Sequence, residues 1–161
     1  KTFEELKNLD AGHGEKIPSL AEVFDFIGKK VKINIELKGK GTAKPVSELI
    51  ENYVSGKNRS YEDFLISSFD YDELEEFRRL NHNVKIGVLA KETAGGLVEF
   101  AEKIKASCIN MLFKSINKEF IDDAHKKGLQ IFVWTVNDKD DIERMKQFGV
   151  DGIFSNFPDR I

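Results

Sequence analysis

Two charged side chains stand near the end of an apolar segment, VKINIELKGKG. Because side chains alternate across a β-strand, Glu36 and Lys38 would share one face and Ile33, Ile35 and Leu37 the other. An unpaired carboxylate is costly to bury, so Glu36 should have a partner such as Lys38, a metal ion or both. The pattern therefore allows a cation site at the end of a strand, or an ordinary ion pair at a solvated strand end.

The elements that would position this pair follow from alternating patterns along the chain. Five segments have helical periodicity with start or stop signals: SLAEVFDFI, KPVSELIENYV, DYDELEEFRRL, NKEFIDDAHKKG and NDKDDIERMKQFG. Ser19 with Glu22, and Asp70 with Glu73, have the spacing of a capping box. Gly128 is expected to end one helix in the left-handed conformation. These signals predict helices of about three turns.

Short apolar runs alternate with the helices and predict six strands: VKINIEL, DFLISSF, VKIGVLA, SCINMLF, IFVWTV and DGIFSNF. Such runs are typical of parallel strands that are covered on both faces. The alternation predicts an α/β fold, either an open doubly wound sheet or part of a (β/α)8 barrel. A complete barrel usually needs roughly 200 residues or more. In a barrel, Glu36 and Lys38 would lie near its C-terminal mouth.

Composition narrows the function classes. The chain has 161 residues, with 25 basic and 28 acidic side chains and a net charge of -3, and no basic block that would favour nucleic acid. It has no apolar run of about 18 residues and no secretory leader pattern, so we expect a cytoplasmic or otherwise soluble protein without a membrane span. The single cysteine, Cys108, is expected to be a small buried hydrophobic residue.

Seven segments together resemble the glycerophosphodiester phosphodiesterase family: TFEELKNLDAG, EKIPSLAEVFDFI, INIELKG, FLISSFDYDELEEFRRL, KIGVLA, VWTVND and GVDGIFSNFPD. The resemblance covers nearly the whole chain and implies a (β/α)8 TIM barrel of the PLC-like phosphodiesterase type, with a single domain over residues 1–161. It also implies metal-dependent hydrolysis of a small-molecule glycerophosphodiester to glycerol 3-phosphate and an alcohol. The implied cofactor is Mg²⁺ or Ca²⁺.

The resemblance assigns roles to four residues. Glu36 matches a glutamate that family members use as a metal ligand, and Lys38 matches a lysine that contacts the substrate phosphate. Phe69 and Trp134 fall at strand ends where family members line the glycerol side of the pocket. For these two aromatic residues, plain core packing is an equally good interpretation. Ser155 and Asn156 replace a frequent Thr-Asp pair, so a contribution to binding from that position is in doubt.

Other family motifs have no counterpart in this sequence: His-Arg-Gly, Pro-Glu-Asn-Thr, a Glu-x-Asp metal pair and His-Asp. They carry the general acid and base histidines, an arginine for the phosphate and two metal ligands, all upstream of the matched segments. We therefore expect no catalytic residue in this chain and no activity from the chain alone. Its own histidines, His13, His82 and His125, are interpreted as surface or loop residues, with His13 the least secure.

The matched segments would supply six later βα units of the barrel and leave the first strands missing. Three explanations stay open: an N-terminal segment that completes the barrel, completion by another copy or another chain, and a gene product that has lost its front. Two functions also stay open, a metal-dependent phosphodiesterase and a non-catalytic barrel fragment or interaction module. An unrelated open-sheet α/β binding domain is a third alternative, without a glycine-rich phosphate loop to support it.

Overall fold

The computed structural model describes residues 2–56 and 59–161. The chain divides into two compact units, Lys1–Lys32 and Ile33–Ile161. The first unit contains helix α1 (Phe3–Lys7) and helix α2 (Leu20–Ile27). Helix α2 begins at the predicted capping box, whereas the sequence analysis did not predict α1. The single domain over the whole chain stays a prediction.

The second unit contains one parallel sheet and the helices that connect its strands. Its strands are β1 (Ile33–Glu36), β2 (Phe64–Ser68), β3 (Lys85–Ala90), β4 (Cys108–Leu112), β5 (Gln130–Trp134) and β6 (Gly152–Ile153). Its α-helices are α3 (Ala43–Gly56), α4 (Tyr71–Leu80), α5 (Leu97–Lys103), α6 (Lys118–Lys126) and α7 (Lys139–Phe148). Six strands were predicted, although β6 is much shorter than its apolar run, and α5 was not predicted.

The strand order distinguishes between the two predicted architectures. The strands lie in the order β1-β2-β3-β4-β5-β6, so each strand pairs with its neighbours along the chain. A doubly wound sheet reverses its strand order at a switch point, whereas a (β/α)8 barrel keeps the sequential order. The sheet is therefore of the barrel type, curled as a half-barrel. Within the described residues, β1 and β6 are its edges.

The two faces of the sheet differ in composition. In parallel register, Glu36 lies beside Ser67, Ser67 beside Gly87, and Gly87 beside Cys108. Paired residues of a parallel sheet share a face, so this row lies on the same face as Glu36. The opposite face carries rows such as Ile35, Ile66 and Ile86, all buried. The face that carries Ile35 is the apolar face predicted for β1, and Glu36 lies on the opposite, inner face.

Gly87 makes room at the centre of the inner face. A Cβ atom at this position would lie 2.8 Å from the Cys108 Sγ atom and 2.9 Å from the Asn110 Nδ2 atom. Both distances are shorter than van der Waals contact, so a larger residue would force its neighbours to move. The glycine therefore allows the Cys108 and Asn110 side chains to fill this layer.

The helix boundaries agree with most of the predicted signals. Asp138 caps α7, and Gly128 and Gly149 have positive φ angles of 75° and 85° just after their helices. Asp70 caps α4 by accepting hydrogen bonds from the backbone amides of Asp72 and Glu73. The second hydrogen bond of the predicted capping box, from the Asp70 amide to the Glu73 carboxylate, is wrong. The Asp70 amide donates instead to the Ser68 hydroxyl, at 2.9 Å.

None of the helices in residues 2–56 and 59–161 has both the length and the apolar character that a membrane crossing requires.

Candidate active site

Glu36 and Lys38 lie at the C-terminal end of β1, as the alternation of the strand predicts. The Lys38 Nζ atom is 3.5 Å from the Glu36 Oε2 atom. The Lys38 side chain is 76% exposed and the Glu36 side chain 32% exposed. An ion pair with this exposure contributes little to stability, because water screens it and two long side chains must be ordered. Both groups are therefore available to a ligand at small cost to the fold.

Hydrogen bonds between neighbouring strand ends fix the backbone around this pair. The Leu37 amide donates to the Ser67 carbonyl at 2.8 Å, and the Ser68 hydroxyl donates to the Leu37 carbonyl at 2.6 Å. Ser68 is fully buried. The backbone between Glu36 and Lys38 is thus held against β2, so the two charged side chains leave the sheet from a fixed point.

Phe69 and Trp134, which the resemblance places in the substrate pocket, contact each other. Their rings meet edge to face, with 5.6 Å between the centroids. The Trp134 indole N–H donates to the Asn110 carbonyl at 2.9 Å, which fixes the orientation of its ring. The Lys91 Nζ atom lies 5.7 Å from the centroid of the Phe69 ring. These residues form a partly exposed aromatic wall at the ends of β2, β3 and β5.

An open groove of about 700 Å³ lies beside Glu36 and Lys38. It is lined by Glu36, Leu37, Lys38, Phe69, Asp70, Tyr71 and Asp72. Three of the four predicted site residues therefore line one groove, and Trp134 adjoins it through Phe69. The contribution of the first turn of α4 was not predicted from the sequence. Its signal was the position of Asp70 and Tyr71 directly after β2, on the same edge of the sheet as Glu36.

The acidic groups of the groove are not equally available. Asp70 already accepts two backbone hydrogen bonds from α4, at 3.1 Å from Asp72 and 3.4 Å from Glu73. Tyr71 stacks on Phe100 with 4.3 Å between ring centroids, and partial burial raises the pKa of its phenol. Of the lining carboxylates Glu36, Asp70 and Asp72, Glu36 is the one for which the described residues show an ion pair with a lysine.

The described residues do not by themselves complete a cation site. No group of three or more His, Cys, Asp or Glu side chains in residues 2–56 and 59–161 could hold a metal ion. Ser67, in register beside Glu36, has a buried hydroxyl without a hydrogen-bond partner among these residues. Glu36 and Ser67 would offer two oxygens, so Mg²⁺ or Ca²⁺ would take its other ligands from water, from the substrate or from residues outside those described.

The chain has three histidines, one in the first unit and two in the second. His13 is in a loop of the first unit and has a positive φ angle of 56°. His82 precedes β3 and lines a separate groove with Lys85 and Lys105. His125 lies in α6, where its Nε2 atom is 2.8 Å from the Asp151 carboxylate. Within the second unit, neither His82 nor His125 lines the groove that contains Glu36 and Lys38.

Cys108 is a buried residue of the sheet, and Ser155 and Asn156 form hydrogen bonds in the loop after β6. Burial raises the pKa of the Cys108 thiol to about 12, so the residue is protonated at neutral pH. The Asn137 side chain accepts hydrogen bonds from the Asn156 amide, at 2.9 Å, and from the Ser155 hydroxyl, at 3.3 Å. Ser155 and Asn156 therefore link the loops after β5 and β6.

Comparison with known proteins shows the family of this chain. Residues 1–160 match the model of the glycerophosphoryl diester phosphodiesterase family. The chain belongs to this family. A glycerophosphodiester phosphodiesterase of Caldanaerobacter subterraneus is 36% identical over 99% of this chain and 69% of its own length. One from Bacillus altitudinis is 32% identical over 99% of this chain and 69% of its own length.

Solved structures of the family have the same fold. The glycerophosphodiester phosphodiesterase of Thermotoga maritima is 31% identical, with a TM-score of 0.66 over 88% of this chain and 61% of that one. An Oleispira antarctica phosphodiesterase, in complex with its product sn-glycerol-3-phosphate, has a TM-score of 0.87 over 99% of this chain and 68% of that one. At 23% identity, the second structure supports the fold alone.

Proposed function

We propose that this chain contributes the C-terminal part of a barrel that hydrolyses glycerophosphodiesters to glycerol 3-phosphate and an alcohol once the barrel is complete. The observation that carries the proposal is the Glu36–Lys38 pair, 3.5 Å apart, at the C-terminal end of β1 and on the wall of an open groove. Catalytic residues of barrel enzymes lie at this end of the strands. Membership of the family supplies the reaction class.

In this proposal Lys38 binds the phosphate of the substrate. Its ammonium group is largely exposed in the groove, and Glu36 is its partner in the described chain. A phosphodiester is an anion whose non-bridging oxygens accept charge-assisted hydrogen bonds, and lysine serves such oxygens as a point charge. The fixed backbone at Leu37 would limit the region that the Lys38 side chain can reach.

Glu36 would supply one oxygen to a divalent cation, with further ligands from outside the described residues. A cation bound there would neutralise charge on the phosphate and polarise its oxygens. The Glu36 carboxylate would thus interact with both Lys38 and the cation. The aromatic wall of Phe69 and Trp134 would contact the apolar edge of the glycerol part and exclude water from it.

A second candidate is a non-catalytic barrel fragment or interaction module. The specific observation in its favour is that the groove-lining residues include no histidine, and that the described residues contain no group able to hold a metal by itself. General acid–base catalysis requires a group within hydrogen-bond reach of the transferred proton. This candidate therefore predicts a folded chain that neither binds phosphate esters at Lys38 nor contributes to turnover.

The test combines binding with hydrolysis. Binding of glycerol 3-phosphate to the 161-residue chain is followed by NMR, and hydrolysis of glycerophosphocholine is measured with Mg²⁺ or Ca²⁺ and then with chelator. Intact mass of the protein isolated from its cells shows whether the active species is longer than the chain. The variants are Lys38→Met and Glu36→Gln.

Lys127 and Glu102 offer a matched control, since their side chains also form an exposed ion pair, at 3.4 Å, among the helices. The proposal expects binding that Lys38→Met weakens roughly ten- to a hundredfold, as for a lost hydrogen bond to a charged group, and that Lys127→Met leaves unchanged. Turnover by the active species should be lost with chelator and with Glu36→Gln, but not with Glu102→Gln. Absence of phosphate-ester binding and of turnover in every species would favour the second candidate.

A further inference from the structure

Glu73 is a buried carboxylate in the first turn of α4, only 8% exposed. Its spacing from Asp70 is that of a capping box, in which the glutamate would accept a hydrogen bond from the Asp70 amide. The Asp70 amide donates instead to the Ser68 hydroxyl, at 2.9 Å. The Glu73 carboxylate is therefore free to act elsewhere, and it reaches a segment about thirty residues away in sequence.

That segment is the connecting turn, residues 39–42, which joins Lys38 to helix α3. The Gly41 amide donates to Glu73 Oε1, the Ala43 amide donates to Oε2 at 2.8 Å, and the Thr42 hydroxyl lies 3.3 Å from Oε2. The Thr42 hydroxyl also donates to the Gly39 carbonyl at 2.6 Å. One carboxylate thus accepts two amides at the C-terminal end of the turn, while the single hydroxyl proton of Thr42 goes to the nearer acceptor, the Gly39 carbonyl at its beginning.

The charge of Glu73 suits this position. Ala43 is the first residue of α3, and the N-terminus of a helix presents unpaired amides and a partial positive charge. A carboxylate from another helix takes the place of a capping side chain. Burial of a carboxylate is unfavourable unless hydrogen bonds compensate it, and an apolar residue could fill the same space. The choice of glutamate is therefore explained by the amides of the turn and not by packing alone.

The turn would be mobile without this anchor. Gly41 has a φ angle of 75°, in the left-handed region, and glycine has more conformational freedom than any other residue. The turn begins directly after Lys38, whose side chain is 76% exposed and is held in place only weakly by its pair with Glu36. On the other side, Leu37 is fixed by β2. The direction of the Lys38 side chain thus depends on Leu37 before it and on the connecting turn after it.

We propose that Glu73 is a positioning residue that holds the connecting turn and thereby directs Lys38 into the groove. What Lys38 binds rests on the proposed function, whereas the ordering of the turn by Glu73 does not. Helix α4 would in this way set the position of a phosphate-binding lysine on β1, although its own side chain at position 73 touches no substrate.

The test uses Glu73→Gln in the 161-residue chain, with Glu76→Gln as the matched control. Glu76 lies on the same helix and pairs with Arg79 at the surface. Glutamine preserves the shape of the side chain but replaces one acceptor with a donor, so one of the two amides loses its partner. Amide hydrogen exchange at Gly41 and Ala43 should become roughly ten- to a hundredfold faster relative to the buried strand residue Val88, as for a lost charged hydrogen bond.

Glycerol 3-phosphate binding provides the second measurement. Glu73→Gln should weaken it at least severalfold and reduce the shift of the Lys38 and Gly39 amide signals, whereas Glu76→Gln should change neither. In the active species the variant should raise KM with a smaller effect on kcat, since it misplaces a binding group. A merely structural role would accelerate exchange at Val88 as much as at Gly41 and leave affinity of the folded fraction unchanged. That result would overturn the proposal.

Two further outcomes are separable. If the wild-type chain binds no phosphate ester, the role proposed for Lys38 fails, and exchange at Gly41 still decides whether Glu73 holds the turn. If Glu73→Gln does not fold, Thr42→Val removes the hydroxyl that donates to the Gly39 carbonyl and lies 3.3 Å from Glu73 Oε2, and it should accelerate exchange at Gly41 by a smaller factor. Unchanged exchange in Thr42→Val would then count against the proposal.

Discussion

Gly87→Ala should destabilise the second unit because the added methyl group has no space on the inner face of the sheet. The new Cβ atom would lie 2.8 Å from Cys108 Sγ and 2.9 Å from Asn110 Nδ2. Real carbon contacts need about 3.5 Å or more, so both neighbours must move by several tenths of an ångström. Both neighbours are buried strand residues that are fully packed. Overpacking of this kind typically costs about 1–3 kcal/mol.

Urea unfolding followed by the fluorescence of Trp134, the single tryptophan, measures this loss. Trp134 lies at the end of β5, in the same sheet. Gly95→Ala is the matched control, because a Cβ atom there would meet nothing within 4 Å and the residue has no positive φ angle. Gly95→Ala should be neutral or should stabilise by up to about 1 kcal/mol, through reduced freedom of the unfolded chain.

A double variant identifies the contact responsible. Cys108→Ala removes the nearer atom, so Gly87→Ala should cost less in the Cys108→Ala background than in the wild type. Relief should be incomplete, since the contact with Asn110 Nδ2 remains. The steric explanation is refuted if Gly87→Ala stays within about 0.5 kcal/mol of the wild type, or if Gly95→Ala has an equal cost.

Three further predictions concern titration and buried contacts. Because its pKa is raised to about 12, the Cys108 thiol should resist iodoacetamide at pH 8 in the folded chain and react after unfolding in urea, as measured by mass spectrometry. A hydrogen bond from Lys7 lowers the pKa of the Glu22 carboxyl from its ordinary value of 4.5 to about 2. The ionised carboxylate should therefore stabilise the fold fully at pH values above 4.5, and this stabilisation should disappear as the pH falls towards 2. Lys7→Gln should raise that pKa in an NMR titration. Asp151→Ala should cost about 1–3 kcal/mol in urea unfolding, because the buried Ile131 amide, 2.7 Å from Asp151 Oδ2, loses its acceptor.

The sequence predicted the parts of the site that depend on local alternation. Strand parity alone placed Glu36 and Ile35 on opposite faces, and the structure agrees. Lys38, which was predicted on the face of Glu36, lies beyond the end of β1 and pairs with Glu36 at 3.5 Å. The capping box of Ser19 and Glu22 also forms as predicted, because both partners lie within one turn and Lys7 binds the other carboxylate oxygen of Glu22. Local rules succeed here because the interactions span only three residues.

The rest depended on contacts between distant segments. Glu73 does not accept the hydrogen bond expected from the Asp70 amide, because that amide donates to the Ser68 hydroxyl. The Ser68 hydroxyl is itself fixed by its hydrogen bond to the Leu37 carbonyl, just after β1. The contact of Phe69 with Trp134 joins two strand ends that are not adjacent in the sheet, and no periodicity signals it. Helix α5 lacked a side-chain cap, since its N-cap residue is a glycine. These features became visible only once the strand order was known.

The sequential strand order has a consequence for how the sheet forms. Paired residues such as Ile66 and Ile86, or Ile109 and Ile131, are separated by one helix and its two connections. Each pairing therefore closes a short loop, and no strand must wait for a distant part of the chain. During synthesis on the ribosome, β1 and β2 can meet before β5 has been translated. With only two residues, β6 joins last and should be the first strand to detach when the sheet fluctuates.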